Sequence, residues 1–272
     1  MGARGLESAR TSGAPAVPRW AVVIAIAGLV FVAGPIAGLL TRVDWTGLPG
    51  LVVSPAALQA LGLTVGTALA ATALCVVLGV PTALVLSAWR SRLAGVVRAV
   101  GLLPIVMPPM VSGVALVSWL GENGLAGRAL SLLGIALPYT TIAVVIAQTF
   151  VAWPFLVVAV EAGLRARPGD QEQIAAALGA SPTRVFFTVT LPGIAPVLRG
   201  GMILCFARAV GEFGATALFA GDVPGRTQTM SLAIYAAYNA GGTGQALGIG
   251  LSVVLVGLAV VLLAAAGQIR GR

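Results

Sequence analysis

The sequence predicts an all-α membrane protein with six transmembrane helices. Of its 272 residues, 58% are hydrophobic and only 9% are charged, and the mean hydropathy is +1.02. Soluble domains carry about 25% charged residues, so this chain has too few charges to cover a water-facing surface. Lipid is therefore the expected solvent for much of its length.

Six apolar stretches are each long enough to cross the hydrocarbon core, which takes about 20 residues. They cover, in order, residues 20–40, 58–89, 96–120, 140–164, 196–220 and 246–267. The first is longer than the apolar region of a signal peptide, so we expect an uncleaved helix. The third contains Pro104, Pro108 and Pro109. Because each proline removes a backbone donor, we expect a bent helix that either lines a pore or simply packs with a kink.

Arginine is the only basic residue type in the chain, and its distribution predicts the orientation. With the N-terminus in the cytoplasm, twelve arginines lie at or near the inner face, three lie in outer loops, and Arg208 lies inside the fifth stretch. The inner ones are Arg4, Arg10, Arg19, Arg90, Arg92, Arg98, Arg165, Arg167, Arg184, Arg199, Arg270 and Arg272, and the outer ones are Arg42, Arg128 and Arg226. Both termini are then cytoplasmic. Residues 1–18 form an arm that we expect to be flexible, and residues 19–270 form the transmembrane domain.

The lack of lysine and histidine in the sequence excludes several kinds of enzyme. A Walker A loop needs a lysine, so this chain cannot by itself be a P-loop ATPase. Histidine metal sites and Ser-His-Asp triads are excluded as well. We expect no catalysis, no cofactor and no metal. The net charge of +8 is spread between apolar stretches, which argues against a nucleic-acid binder.

The segment between the fourth and fifth stretches, at about residues 165–192, is polar and carries the signals of two helices. Asp170 and Glu172 suit a helix N-terminus, and Gly179 stands where a C-cap would. Ser181–Pro182 has the pattern of a second helix start. A short helix parallel to the membrane could dock in a groove of a cytoplasmic partner, or it could be an ordinary interfacial helix. The pattern alone favours neither.

The spacing of this segment resembles the EAA loop of ABC importer permeases, E-A-A-x3-G-x9-I-x-L-P. Gln173 and Ala175 fall on the first and third positions of the triplet, Gly179 on the glycine and Pro192 on the final proline. Gln173 replaces the glutamate of the pattern, although Glu172 is adjacent. In that family the loop forms the coupling helix that engages the ATP-hydrolysing subunit. The resemblance implies this role for Asp170, Glu172, Gln173, Ala175, Gly179 and Pro192.

A second resemblance is to molybdate permeases. The fifth stretch reads F-A-R-A-V-G-E-F-G-A-T-A-L-F-A-G and continues as D-V-P-G-R-T-Q-T-M-S-L-A-I-Y, similar to R-A-L-G-E-F-G-A-T and P-G-x-T-x-T in that family. Phe213, Ala215, Thr216 and the segment Pro224–Tyr235 favour molybdate over sulfate permeases, which tend to have tyrosine and serine after the glutamate. The third stretch, L-P-I-V-M-P-P-M-V, is also similar, and then departs at Ser112.

These resemblances imply the membrane subunit of an ATP-driven importer that carries molybdate, and as a further candidate tungstate, across a prokaryotic plasma membrane. They imply the type I ABC importer architecture and a homodimer with a second copy. Two cytoplasmic ATP-binding subunits and an extracytoplasmic oxyanion-binding protein would complete it. The sequence leaves open a sulfate or thiosulfate ABC permease, and an ion-coupled secondary transporter, although the latter usually carries intramembrane acids for coupling.

Two opposite charges lie within the fifth stretch. Arg208 and Glu212 are four residues apart and predicted on one helix face, at a depth where a lone charge costs about 2.5–3.5 kcal/mol. In one hypothesis Arg208 helps to pass a divalent oxyanion while Glu212 holds its guanidinium. In the other the pair is structural. Together with Pro108 and Pro109 they are the candidate residues of a translocation pathway.

Overall fold

The computed structural model describes residues 18–89 and 91–270, with side chains through residue 261 and at residue 264. Every regular element within these ranges is a helix, which confirms the all-α prediction. The predicted arm, except for Pro18, lies outside the described residues, as do Arg4, Arg10, Arg90 and Arg272. The cytoplasmic placement of both termini stays a prediction.

The chain divides into two compact units, residues 1–43 and 44–272. The described part of the first unit contains α1, Arg19–Leu40, whose mean hydropathy is 2.5 and which confirms the first predicted span. Pro35 lies inside this helix. The Thr41 hydroxyl donates to the Gly38 carbonyl at its C-terminal end.

The second unit contains the remaining helices. In chain order they are α2 (Leu48–Val52), α3 (Pro55–Ala88), α4 (Arg92–Val106), α5 (Pro109–Leu120), α6 (Gly127–Leu132), α7 (Thr141–Arg165), α8 (Asp170–Ala177), α9 (Pro182–Val185), α10 (Leu191–Val210), α11 (Gly214–Phe219), α12 (Met230–Asn239) and α13 (Thr243–Arg270). A π-helical turn, Phe186–Thr190, joins α9 to α10. The predicted spans at 58–89, 140–164 and 246–267 are confirmed by α3, α7 and α13.

The main core lies between α3, α7 and α10, and small residues dominate it. A Cβ atom on Gly79 would lie 3.1 Å from Leu156, and one on Gly163 would lie 3.0 Å from Val197. These glycines let the helix backbones approach closely, which is how helices associate in lipid. The buried thiols of this core, Cys75 and Cys205, are not linked, as expected of small core residues.

The third predicted span, residues 96–120, bends at its prolines as expected, but it is broken there into two helices. These are α4 and α5, and the chain direction bends by 118° between them. Met107 and Pro108 between them have extended ψ angles of 132° and 138°. A residue before a proline is pushed out of the helical region, and Pro108–Pro109 applies that constraint twice in succession. Among the described residues, five helices are long and apolar enough to span a membrane, or six if this broken pair counts as one span.

The fifth predicted span, residues 196–220, is wrong in its bounds. The helix runs from Pro182 through the π-helical turn to Val210. It ends at Gly211, and Phe213 has φ −131° and ψ −58°, which a helix does not adopt. The helix α11 that follows is separate. The sequence interpretation also missed α12, which at ten residues is too short to span a bilayer.

Candidate functional site

The polar segment after α7 folds as the sequence predicts. Helix α8 begins at Asp170, with Asp170 and Glu172 in its first turn, where carboxylates favour the helix dipole. Gly179 ends it with φ +85°, a left-handed conformation that suits glycine. The Ser181 hydroxyl oxygen accepts a hydrogen bond from the backbone N–H of Arg184, and thus caps α9.

Helix α8 has no buried residue and displays apolar side chains. Ile174 is 61% exposed and Leu178 is 84% exposed. Exposed apolar side chains on a short helix outside the apolar spans suit a surface that another protein covers, and they also suit contact with the membrane surface. Of the predicted coupling residues, Gln173 is exposed and Ala175 is half-buried.

Arg167 attaches this helix to the rest of the unit, and the sequence analysis missed it. Its Nη1 atom lies 2.9 Å from Glu172 Oε1 and donates to the Thr190 carbonyl at 3.2 Å. The Thr190 hydroxyl donates to the same Glu172 oxygen at 3.3 Å. A Cβ atom on Gly193 would lie 2.5 Å from Arg167 Nη2. The guanidinium therefore rests on the first turn of α10 and joins it to the first turn of α8.

The predicted pair of Arg208 and Glu212 is formed, but not on one helix. Arg208 lies in the last turn of α10, and Glu212 follows the end of that helix. Glu212 Oε2 lies 2.7 Å from Arg208 Nη1, and Oε1 accepts a hydrogen bond from the Ala215 N–H at 2.8 Å. The Glu212 side chain is 1% exposed and that of Arg208 is 27% exposed. The carboxylate thus links the end of α10 to the start of α11, while the Arg208 side chain stays partly exposed.

The predicted pathway prolines lie next to this link. A Cβ atom on Gly214 would lie 2.6 Å from the Cβ atom of Pro109, and one on Gly113 would lie 2.8 Å from that of Leu218. Only glycine permits this approach between α5 and α11. The structure therefore brings Pro109 close to the turn after Glu212, and places Pro108 at the N-cap of α5.

Three buried polar side chains lie on helices α5, α7 and α11, and the sequence analysis missed their role. They are Ser112, Gln148 and Thr216, each at most 1% exposed. Within the described part of the chain, the Ser112 and Thr216 hydroxyls and both polar atoms of Gln148 have no hydrogen-bond partner. An unpaired buried polar group costs about 1–3 kcal/mol. Their presence beside an apolar cluster formed by the same three helices makes this interface a candidate for polar function.

A further ion-pair cluster, which the sequence did not predict, lies at the C-terminal end of α7. Glu161 is 7% exposed and binds Arg98 at 2.6 Å and Arg165 at 2.8 Å. Arg98 also donates to the Leu86 carbonyl at 3.1 Å. The cluster joins the end of α3, the first half of α4 and the end of α7. Arg98 and Glu161 are 63 residues apart in the chain, so no local pattern indicates the pair.

Among the described residues, no group of three or more acids, cysteines or histidines is placed to hold a metal ion. The polar groups that the structure brings together are arginines paired with carboxylates and the buried hydroxyl and amide groups of Ser112, Gln148 and Thr216. The guanidinium, hydroxyl and amide groups can donate hydrogen bonds, which an oxyanion needs.

Comparison with known proteins gives a family and several relatives. A family model described as the binding-protein-dependent transport system inner membrane component matches residues 76–268. The molybdenum transport system permease protein ModB of Mycobacterium tuberculosis is 49% identical over 219 residues, which cover 80% of this chain and 83% of that protein. The sulfate transport system permease protein CysT of Salmonella typhimurium is 31% identical over 196 residues, 72% of this chain and 71% of that protein.

A solved structure shares the fold. It is the crystal structure of a bacterial alginate ABC transporter in complex with an alginate pentasaccharide-bound periplasmic protein. The likeness covers 91% of each chain with a TM-score of 0.68 and 18% sequence identity. At this identity the likeness concerns the fold alone.

Proposed function

The chain belongs to the family of binding-protein-dependent transport system inner membrane components, and from this premise we propose that it is the membrane-spanning subunit of an ATP-driven molybdate importer. It is a multi-pass protein of the plasma membrane. The 49% identity to a protein named for molybdenum transport supports the substrate. So does the resemblance of residues 208–235 to molybdate permeases.

The observation that carries the proposal is the arrangement of α8. This helix lies between the two long membrane helices α7 and α10, displays Ile174 and Leu178, and is joined to α10 through Arg167. A partner that seats α8 in a groove would move the start of α10 together with it. That arrangement suits a permease whose energy comes from another subunit.

The partners that we propose are two cytoplasmic ATP-binding subunits, an extracytoplasmic oxyanion-binding protein and a second copy of this chain. The chain lacks the lysine of a Walker A loop, so ATP hydrolysis belongs to the ATP-binding subunits. We place α8 and both termini in the cytoplasm, because arginine is concentrated on that side of the predicted spans. The assembly would be a type I ABC importer, with tungstate as a further candidate substrate.

Motion of α8 reaches the intramembrane ion pair through α10. Arg208 is 17 residues beyond Leu191, where α10 begins, and this corresponds to about 26 Å along the helix. A rigid shift of α10 would change the position of Arg208 relative to α5 and α11. Such a shift is how a packed helix transmits a small displacement to a distant site.

The interface of α5, α7 and α11 supports a path for an oxyanion. Ser112, Gln148 and Thr216 supply neutral donors there, and Arg208 supplies a positive charge at the neighbouring break between α10 and α11. Ser112, Gln148 and Thr216 are enclosed in this conformation. The alternating-access scheme requires such a closed state in addition to an open one.

A secondary transporter is a weaker reading of the same structure. Proton- or sodium-coupled carriers use intramembrane acids that change their charge or bind the ion. The buried acids of the described residues are Glu161 and Glu212, and each is paired with arginine. Sulfate is the stronger alternative substrate, because a protein named for sulfate transport is 31% identical.

The test is uptake by proteoliposomes that hold the full chain with its ATP-binding subunit and binding protein. We expect ATP-dependent accumulation of labelled molybdate in preference to sulfate. A matched control replaces the Walker lysine of the ATP-binding subunit. Accumulation without ATP hydrolysis would overturn the importer proposal, and equal or faster uptake of sulfate would overturn the choice of molybdate.

The same assay separates the two hypotheses for the ion pair. If Arg208→Ala and Glu212→Ala each assemble normally but take up no oxyanion, a purely structural role is excluded. If both variants fail to fold, the pathway hypothesis loses its support.

A further inference from the structure

A recess of about 450 Å³ lies where α3 ends, α4 begins and α7 ends. Its polar lining consists of Ser87, Ser91, Arg98 and Arg165, and Trp89 and Gly95 complete the wall. The volume falls within the range of about 300–1,000 Å³ that is typical of ligand pockets. None of these residues has a part in the proposed coupling of α8 or in the α5, α7 and α11 interface.

The charges around this recess do not cancel. Among the described residues, two guanidinium groups, those of Arg98 and Arg165, share the single carboxylate of Glu161 at this recess, which leaves their cluster with a net positive charge. Arg98 directs its Nε and Nη2 atoms to Glu161 and the Leu86 carbonyl. Its Nη1 atom forms no hydrogen bond or ion pair with the described residues. Arg165 meets Glu161 through Nη2, and its side chain is 55% exposed.

Other hydrogen-bond donors at this recess also favour an anion. The Ser91 oxygen accepts the Ala94 N–H and so caps α4, which places the first backbone N–H groups of this 15-residue helix at the recess. Unpaired N–H groups and the dipole at a helix start favour an anion. Trp89 is 38% exposed, and tryptophan is enriched where a membrane protein meets the headgroup region.

We propose that this recess binds a tetrahedral oxyanion. Arg98 Nη1 and Arg165 would hold its oxygens, with the Ser91 hydroxyl and the start of α4 as further donors. Two sources share this chemistry, the phosphodiester of an anionic phospholipid and a free inorganic oxyanion.

A neighbouring cavity favours the lipid as the source. Along α4 from Arg98, Gly101 lies about one turn further and Pro104 nearly two turns further. Both line a second cavity of about 630 Å³ together with Leu78 and Trp153. This second cavity is almost wholly apolar. An acyl chain that follows α4 from the charged recess would therefore meet a surface suited to it.

The test uses the purified full chain in a maltoside detergent, which contains no phosphate. Phosphatidylglycerol is titrated in one arm and sodium phosphate or molybdate in the other, and bound anion is counted by native mass spectrometry. We expect one site for phosphatidylglycerol, weakened at least about fivefold in Arg165→Gln, the effect of about one interfacial charge. Arg199→Gln, an exposed arginine outside the recess, is the matched control and should bind as the wild type does.

A second variant blocks the recess without removing a charge. A Cβ atom on Gly95 would meet nothing within 4 Å, so Gly95→Leu can project into the space and should abolish binding without a fall in thermal stability. If molybdate or phosphate binds in place of the lipid and is lost in both variants, the site is confirmed with a free oxyanion as its ligand. If both variants retain every bound anion, the proposal is wrong. These measurements need neither ATP nor transport, so their failure leaves the proposed function untouched.

Discussion

Replacing Arg167 with alanine tests whether the side chains that contact α8 hold it in place. The substitution removes the ion pair with Glu172 at 2.9 Å and the hydrogen bond to the Thr190 carbonyl at 3.2 Å. The two side chains of the ion pair are only 18% and 25% exposed. Hydrogen bonds to a charged group contribute about 1.5–3 kcal/mol, and partial exposure favours the lower part of that range. We therefore expect the docking of α8 to weaken by about 2 kcal/mol.

The expected result is local opening rather than loss of the fold. Helix α8 has eight residues and is too short to persist without its attachments. A weakening of about 2 kcal/mol corresponds to roughly 30-fold faster amide exchange over residues 170–179. Because the partner's motion would then reach α10 less directly, we also expect fewer molybdate ions imported per ATP hydrolysed.

Hydrogen–deuterium exchange of the full complex measures the first effect, and paired uptake and hydrolysis assays measure the second. Arg199→Ala is the matched control, since Arg199 is an exposed arginine on α10 and forms none of the ion pairs between described residues. Exchange over α8 that stays within about twofold of the wild type would refute the reasoning. So would an unchanged ratio of transport to hydrolysis together with faster exchange.

Substitutions at three further positions, Gly193, Gly214 and Glu212, test other contacts of the structure. Gly193→Ala places a Cβ atom against the Arg167 guanidinium, so we expect a smaller loss of the same coupling ratio. In Gly214→Ala the new Cβ atom would lie 2.6 Å from Pro109, so we expect the chain to be destabilised by about 1–3 kcal/mol. The control Gly66→Ala, whose Cβ atom would have nothing within 4 Å, should not be destabilised. Thermal unfolding in detergent compares the two variants, and equal midpoints would contradict the close α5–α11 contact. Glu212→Ala should cost about 2 kcal/mol and Glu212→Gln less, because only glutamine keeps an acceptor for the backbone N–H beyond it; equal losses would refute that contribution.

The long helices could be predicted because their signal is local. Apolar composition over about 20 residues suffices to identify a span, and serine or threonine caps mark where α3 and α7 begin. Helix α8 could be predicted as well, since Asp170 is typical of a helix start and Gly179 of a helix end.

The breaks between α4 and α5 and between α10 and α11 depend on contacts that the local sequence does not indicate. The prolines 108 and 109 predict a bend, but the angle of 118° accompanies the packing of α5 on α11, which is about 100 residues away in the chain. Likewise, nothing around Glu212 distinguishes a helix that continues from one that stops at Gly211. The contacts of Arg98 with Glu161 and of Arg167 with Thr190 join residues 63 and 23 positions apart, and only the folded chain places them together.

The break between α4 and α5 has a consequence for how the chain enters the membrane. At 15 and 12 residues these helices are about 22 Å and 18 Å long, each shorter than the hydrocarbon core of about 30 Å. The two successive prolines also leave carbonyl groups that lipid cannot satisfy. Neither half is thus a stable insertion unit when it leaves the ribosome. We therefore expect the pair to settle only when α11, synthesised about 100 residues later, packs on α5, so that α4 and α5 insert together with later segments and not as separate spans.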